Sequence, residues 1–279
     1  MKKVIVLLLA AALLLSVVGC KKAENKKLTV AMSPDFAPME FVDTSKTGQE
    51  QYVGFDVTLA NFLADELGME LEIKPMSFDA CMTAVQLGSV DMAISGFSWK
   101  PDRAENFLLS DYYIAGDNET QQSVITVKAK ENTCKTQADF SGWKVGAQAS
   151  SLQEQLVKDE LIPAGAELVV YKSIDDAVLA LQTGKIDALA VAHGNGEAII
   201  ANNPDLAFTG FDFDVDPKYE NNVILLNKSN TEMLEKVNKV LAKAMAAGVY
   251  DGWYEDAKAL AGIPTAEDVS YDDDGKPVS

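Results

Sequence analysis

Asp91-Met92-Ala93-Ile94-Ser95-Gly96-Phe97-Ser98-Trp99-Lys100-Pro101-Asp102-Arg103 is the stretch on which the reading of this chain turns. A strand ends near Ile94, small polar residues make a turn, and Pro101 opens a helix with Arg103 in its first turn. Proline is preorganised for that first helical position. Free N–H groups at a helix start beside a planar guanidinium suit a carboxylate, which arginine grips with two parallel hydrogen bonds.

Outward from this motif the same strand-and-helix rhythm recurs. Residues 28–32 read as a strand. Asp56 reads as the cap of a helix with Leu59, Phe62, Leu63 and Leu67 on one face and Gly68 as its stop. Residues 69–73, 79–87 and 90–94 then read as strand, helix and strand. A second series follows: strand 144–148, a helix after Ser150, strand 167–171, a helix ending near Gly184, and strand 186–191. Ser151 with Glu154 three residues on predicts a capping box. Ala84-Val85-Gln86-Leu87-Gly88-Ser89-Val90-Asp91 matches Ala180-Leu181-Gln182-Thr183-Gly184-Lys185-Ile186-Asp187, each a helix end, a glycine stop and a strand opening. The prediction is an α/β protein of two similar lobes, each a mainly parallel sheet flanked by helices. Ligands in such sheets bind beyond the carboxyl ends of the strands, here in a cleft between lobes. The amphipathic stretch 231–247 and the rings of Tyr250, Trp253 and Tyr254 are expected to cover a core.

The ends have a different character. MKKVIVLLLAAALLLSVVGC places Lys2 and Lys3 before an apolar run and small residues before Cys20. That is the order of a secretory signal, too short to span a bilayer. Its close, Val17-Val18-Gly19-Cys20, resembles the bacterial lipobox, which implies cleavage after residue 19 and lipid on Cys20. Residues 1–19 are therefore expected to be a signal peptide, 20–27 a lipidated cysteine and linker, and 263–279 an acidic tail. At 48% hydrophobic the 279 residues can fill real cores, and the net charge of −18 repels nucleic acid. His193 is the single histidine, so no metal site, no catalytic histidine triad and no cofactor are expected. Cys81 and Cys134, far apart in sequence, are expected to be free thiols.

Several motifs in one order resemble the bacterial extracellular solute-binding proteins of family 3, the amino-acid receptors of ABC importers. They are Pro34-Asp35-Phe36-Ala37-Pro38-Met39-Glu40-Phe41, Val53-Gly54-Phe55-Asp56-Val57, Phe78-Asp79, the Ser95–Arg103 motif, Ser110-Asp111-Tyr112-Tyr113, Val145-Gly146-Ala147-Gln148 and the Tyr250…Trp253-Tyr254 close. The resemblance implies a two-lobed periplasmic-binding clamp, with residues 28–119 plus 223–262 as lobe 1 and 120–222 as lobe 2. Hinge segments near Gln122 and Asn221 would join them. It implies a monomer outside the cytoplasm, tethered to the membrane by its lipid, that hands a small carboxylate or amino acid to a permease. In that family Arg103 would hold the ligand carboxylate with Ser98, and Ser95 and Gly96 would offer backbone groups to the amino end. Ser151 and the Leu152 N–H would complete the carboxylate site from lobe 2. Phe36 and Phe78 would line the side-chain pocket, and Phe97 of the same turn is counted with them.

Two departures stand out. Many relatives carry an aspartate for the ligand ammonium at the position of Ala192. Its charge must come from another acid (Asp35, Asp79 and Glu197 are candidates), or the ligand lacks a plain ammonium. Lys100 stands where a capping threonine is usual, adding a cation beside the carboxylate site. His193 is expected to be structural. The rival of a different class is an enzyme resembling cyclohexadienyl dehydratases, which would need an acid such as Glu197 or Asp79 poised over its substrate.

Overall fold

The computed structural model describes residues 26–113, 121–219 and 221–265, with backbone alone at 270–271 and 277–278. The signal peptide, Cys20 and most of the acidic tail lie outside the described residues.

In chain order the first part runs β1 (Lys27–Met32), β2 (Asp35–Phe36), β3 (Glu40–Val42), β4 (Tyr52–Val53), α1 (Phe55–Leu67), β5 (Glu70–Pro75), α2 (Phe78–Gln86), β6 (Met92–Ala93), α3 (Pro101–Asn106) and β7 (Leu108–Leu109). The second runs β8 (Gln122–Val127), β9 (Lys144–Gln148), α4 (Leu152–Leu156), β10 (Glu167–Tyr171), α5 (Ile174–Gln182), β11 (Ala188–Ala192), α6 (His193–Asn202) and β12 (Leu206–Asp212). The chain then returns through β13 (Leu225–Leu226), α7 (Thr231–Ala247) and α8 (Tyr250–Leu260).

Two five-stranded sheets result, in the orders β5-β1-β6-β13-β7 and β10-β9-β11-β8-β12. Each has two parallel pairings on one side and two antiparallel ones on the other. The α/β architecture is as expected, and in each sheet four of the five strands run the same way, so the sheets are mainly parallel with one reversed strand apiece. The reversed strands are β8 in one sheet and β13 in the other. They belong to segments outside the βα rhythm on which the expectation was built.

The sequence repeat has a shared structural job. Asp91 Oδ2 accepts the Thr29 backbone N–H at 2.7 Å, and Asp187 Oδ2 accepts that of Lys144 at 3.0 Å. In return, the Asp91 and Asp187 N–H groups bond to the carbonyls of Thr29 and Lys144 at 3.0 and 2.8 Å. Each aspartate thus ties the opening of β6 or β11 to the start of its parallel neighbour. The glycine stops before them, Gly88 and Gly184, both take left-handed φ angles, 66° and 70°.

Helix α1 turns Leu59, Ala60, Leu63 and Ala64 into the first lobe's core and ends at Gly68, as its spacing predicts. Asp56 does not cap it. The helix starts two residues earlier, at Phe55 after Gly54, and Asp56 is fully buried inside its first turn. Phe55 is surrounded by the rings of Tyr113, Tyr250, Trp253 and Tyr254 at centroid distances of 5.9 to 6.3 Å. That aromatic cluster fastens α8, from the chain's return, onto α1. Cys81 and Cys134 are free and buried, one in each lobe.

Candidate functional site

The lobes meet over a cavity lined by Asp35, Phe36, Glu40, Phe78, Ser95, Gly96, Ser98 and Arg103 from the first. The second lobe lines it with Gln148, Ser151, Leu152, Gln153, Ile174, Ala190, Val191, Ala192 and Asn195. Most of these groups sit just past the carboxyl ends of β1, β6, β9 and β11, where the dipoles and loops of open sheets converge.

Arg103 is the centre of it. Its residue is only 1% exposed, and its guanidinium spans the lobes: Nη1 donates to Ser98 O at 2.5 Å and Nη2 to Ser150 O at 3.0 Å. The rings of Phe78 and Phe97 lie beneath it, with centroids 5.5 and 5.3 Å from Cζ. Among the described residues no carboxylate forms an ion pair with it, and Nε has no acceptor. Burial pulls its pKa down to about 10, which still leaves it cationic at neutral pH. A buried cation with no anion is costly, so the arrangement awaits one.

The loop carrying Ser95 and Gly96 is clamped from behind. Ser95 Oγ accepts Ser33 N–H at 2.9 Å and donates to Glu40 Oε1 in a very short hydrogen bond. Gly96 N–H donates to Asp56 Oδ2 at 2.7 Å, and Tyr113 OH to the same oxygen at 3.0 Å. The remaining carboxyl oxygens, Glu40 Oε2 and Asp56 Oδ1, are buried without a donor. Two buried acids this near each other disfavour a second negative charge, so the pair holds on to a proton. Burial is the main reason both acids titrate high: Asp56 rises to about 7, and Glu40 is pushed well above its usual range, with the Asp56 charge adding to it.

At the other wall the lobes are pinned together. Asp35 Oδ2 accepts Ile174 N–H at 2.8 Å and Gln148 Nε2 at 3.2 Å, while Oδ1 accepts Ser33 Oγ at 2.9 Å. Asn195 Nδ2 donates across to Ala37 O at 2.9 Å. Burial raises the Asp35 pKa.

Of the residues singled out from sequence, the fold brings Arg103, Ser98, Ser95, Gly96, Ser151, Leu152, Phe36 and Phe78 to this one cavity. Phe97 is not among its lining residues. It is fully buried in the core, stacked on Phe78 at 4.5 Å, because the turn that exposes Ser95 and Ser98 points the residue between them inward. Ser151 Oγ is occupied as the α4 cap, accepting Glu154 N–H at 3.0 Å and donating to Gln148 O at 2.7 Å. The reciprocal half of the capping box is displaced by one residue: Glu154 reaches Ser150 N–H rather than that of Ser151. Lys100 is buried without a side-chain cap, 3.8 Å from Asp102, and lies in an adjoining cleft rather than in the cavity.

Asp79 and Glu197, two of the acids considered for the ligand ammonium, do not line the cavity. His193 stacks on Phe208 at 4.5 Å and meets Ser123 Oγ through Nδ1 at 2.8 Å, a structural setting. Sequence reasoning passed over Glu40, Gln148 and Asn195. Glu40 and Gln148 lie inside the quoted motifs, but no spacing rule reveals that Glu40 backs the Ser95 loop or that Gln148 crosses to Asp35.

The model for bacterial extracellular solute-binding proteins, family 3, matches residues 28–256. The chain belongs to this family. The family-3 protein described here is 29% identical over 247 residues to the arginine-binding extracellular protein ArtP of Bacillus subtilis, covering 86% of this chain and 92% of that one. It is 26% identical over 236 residues to the histidine-binding periplasmic protein of Salmonella typhimurium, covering 81% and 85%. Among solved structures, the amino acid ABC transporter substrate-binding protein AbpA of Streptococcus pneumoniae, bound to L-arginine, superposes with a TM-score of 0.78 at 34% identity over 87% of this chain and 98% of that one. As a family-3 solute-binding protein the chain serves ABC-type amino-acid transport outside the cytoplasm. Among the described residues, its interlobe cavity is where a buried cation without an ion pair meets both lobes.

Proposed function

We propose that this protein captures a basic α-amino acid, L-arginine foremost, between its lobes and delivers it to the permease of an ABC importer. It works as a monomer held at the membrane by lipid on Cys20, and it carries out no chemistry on its cargo. The observation that carries this reading is Arg103: a buried guanidinium, lining the cavity, with no ion-pair partner among the described residues. A ligand carboxylate supplies that anion and gains hydrogen bonds to a charged donor, worth about 1.5–3 kcal/mol.

The lining narrows the ligand. Beside the Arg103 cation the cavity wall carries two acidic side chains, Asp35 and Glu40. An amino acid with a cationic side chain, its carboxylate against Arg103, suits that lining. Phe36 and Phe78 offer ring faces on which a flat cation stacks. The relatives whose names state an arginine or histidine ligand support the same class. The dehydratase-like alternative lacks support, since Asp79 and Glu197 are both outside the cavity lining.

The test is a ligand panel on the soluble chain beginning at Lys21, read by thermal shift and calorimetry. L-arginine should raise the melting temperature by mass action more than neutral or acidic amino acids do. A larger response to an acidic amino acid, or none to any amino acid, would contradict the proposal.

A further inference from the structure

Asn195 is 1% exposed, lies in the first turn of α6 and lines the cavity. Its amide is fixed in direction. Nδ2 donates to Ala37 O of the opposite lobe at 2.9 Å, and a carbonyl accepts only from the NH2 side, so the amide cannot be flipped. Oδ1 is thereby left buried and without any donor. An unpaired buried carbonyl costs about 1–3 kcal/mol, which makes it an open acceptor for a visiting N–H.

Among the described residues, the second lobe has no other lining side-chain acceptor that is both buried and without a donor. Its remaining lining side chains are Gln148 and Gln153, whose amide N–H groups donate to Asp35 and, at 2.6 Å, to Gln122 Oε1, Ser151, committed to capping, and apolar groups. Ala192, three residues before Asn195, contributes only a methyl group on the wall nearest it. From the first lobe, Asp35 already accepts from Ser33, Gln148 and Ile174. Glu40 Oε1 accepts from Ser95, and its Oε2 is buried without a donor on the side of Asp56.

We infer that Asn195 is a ligand-binding residue whose Oδ1 accepts an N–H from the α-amino group of the bound amino acid. Asp35 nearby supplies charge through space while Asn195 supplies the direct contact. The inference rests on the ligand being an α-amino acid. The division of labour lets the amino group be gripped only when the lobes close, because the same side chain that accepts from the ligand also donates across the interface.

The experiment separates these two bonds. Asn195→Ala and Asn195→Asp both remove the donor to Ala37, but only Asn195→Asp keeps an acceptor. Calorimetry is run on wild type and both variants with L-arginine and with 5-guanidinopentanoate, which is arginine without its α-amino group. Wild type should bind L-arginine, confirming the parent reading before the variants are compared. For L-arginine, N195A should bind about 10-fold or more weakly than N195D; for 5-guanidinopentanoate the two variants should agree within about 2-fold. Equal affinity of N195A and N195D for L-arginine, or the same ratio for both ligands, overturns the inference and leaves the proposed function standing. A wild type that binds no L-arginine overturns the proposed function itself. Thermal melts of both ligand-free variants establish that each is folded, and Asn195→Leu, close in shape and likewise without donor or acceptor, replaces N195A in the comparison if the alanine variant is not.

Discussion

Asp35 of the first lobe accepts the backbone N–H of Ile174, the first residue of α5 in the second lobe, at 2.8 Å. A carboxylate from one lobe thus satisfies an N–H that a helix leaves free at its start, and favours its dipole. With Gln148 on the same carboxylate, this wall holds the lobes together without any ligand. These bonds exist only when the lobes touch, so they bias the opening equilibrium toward closure. Asp35→Ala should therefore shift the ligand-free protein toward the open form, seen as a larger radius of gyration in small-angle scattering. Affinity should fall by about 10-fold through the lost closed-state population. An unchanged radius and affinity would remove Asp35 from the closing mechanism.

The Glu40–Asp56 pair makes a pH prediction with a definite sign. Burial raises both acids, so the folded chain holds their proton more tightly than the unfolded chain does. Stability then falls as pH climbs from about 4, where unfolded carboxyls titrate, to about 7, where Asp56 does. Asp35 shifts in the same sense. Acids pulled down by exposed partners, such as Asp43 and Glu72, act below their ordinary range and leave this window flat. Urea unfolding of the ligand-free protein should show a lower midpoint at pH 7.5 than at pH 5, and Asp56→Asn should flatten the difference. A midpoint that rises over the same interval would refute the retained-proton account.

Gly96 sets the position of the aromatic wall. Its φ is 55°, and a Cβ there would lie 2.7 Å from the Phe36 ring. Gly96→Ala should cost about 1–2 kcal/mol in backbone strain alone. It should also push Phe36 away from the cavity and weaken ligand binding by at least the same factor. Full-strength binding in G96A would show that Phe36 does not form the pocket.

Much of this architecture is legible in the chain because local physics and tertiary need agree. Gly68 stops α1, Pro101 starts α3, and Asp91 and Asp187 open their strands in matching octets whose hydrogen bonds also match. The resemblance in the Ser95–Arg103 motif placed Arg103, and the fold brings most of its companions to the same cavity. What stays hidden depends on contacts between distant segments. Asp56 reads as a helix cap from its neighbours, but its real partners are the Gly96 N–H and the Tyr113 hydroxyl, 40 and 57 residues away. Phe97 reads as a wall and is core, since a turn's inward residue cannot be told from its outward ones by type. Asn195 and Ala37 are 158 residues apart, and no periodicity links them.

The most direct test of the buried guanidinium as carboxylate anchor is calorimetry of wild type and Arg103→Met with two ligands, L-arginine and agmatine, which is arginine without its carboxylate. Wild type should bind L-arginine at least about 10-fold more tightly than agmatine, and R103M should lose that preference while folding at least as stably without ligand. An R103M protein that still prefers L-arginine by the wild-type factor would contradict the account.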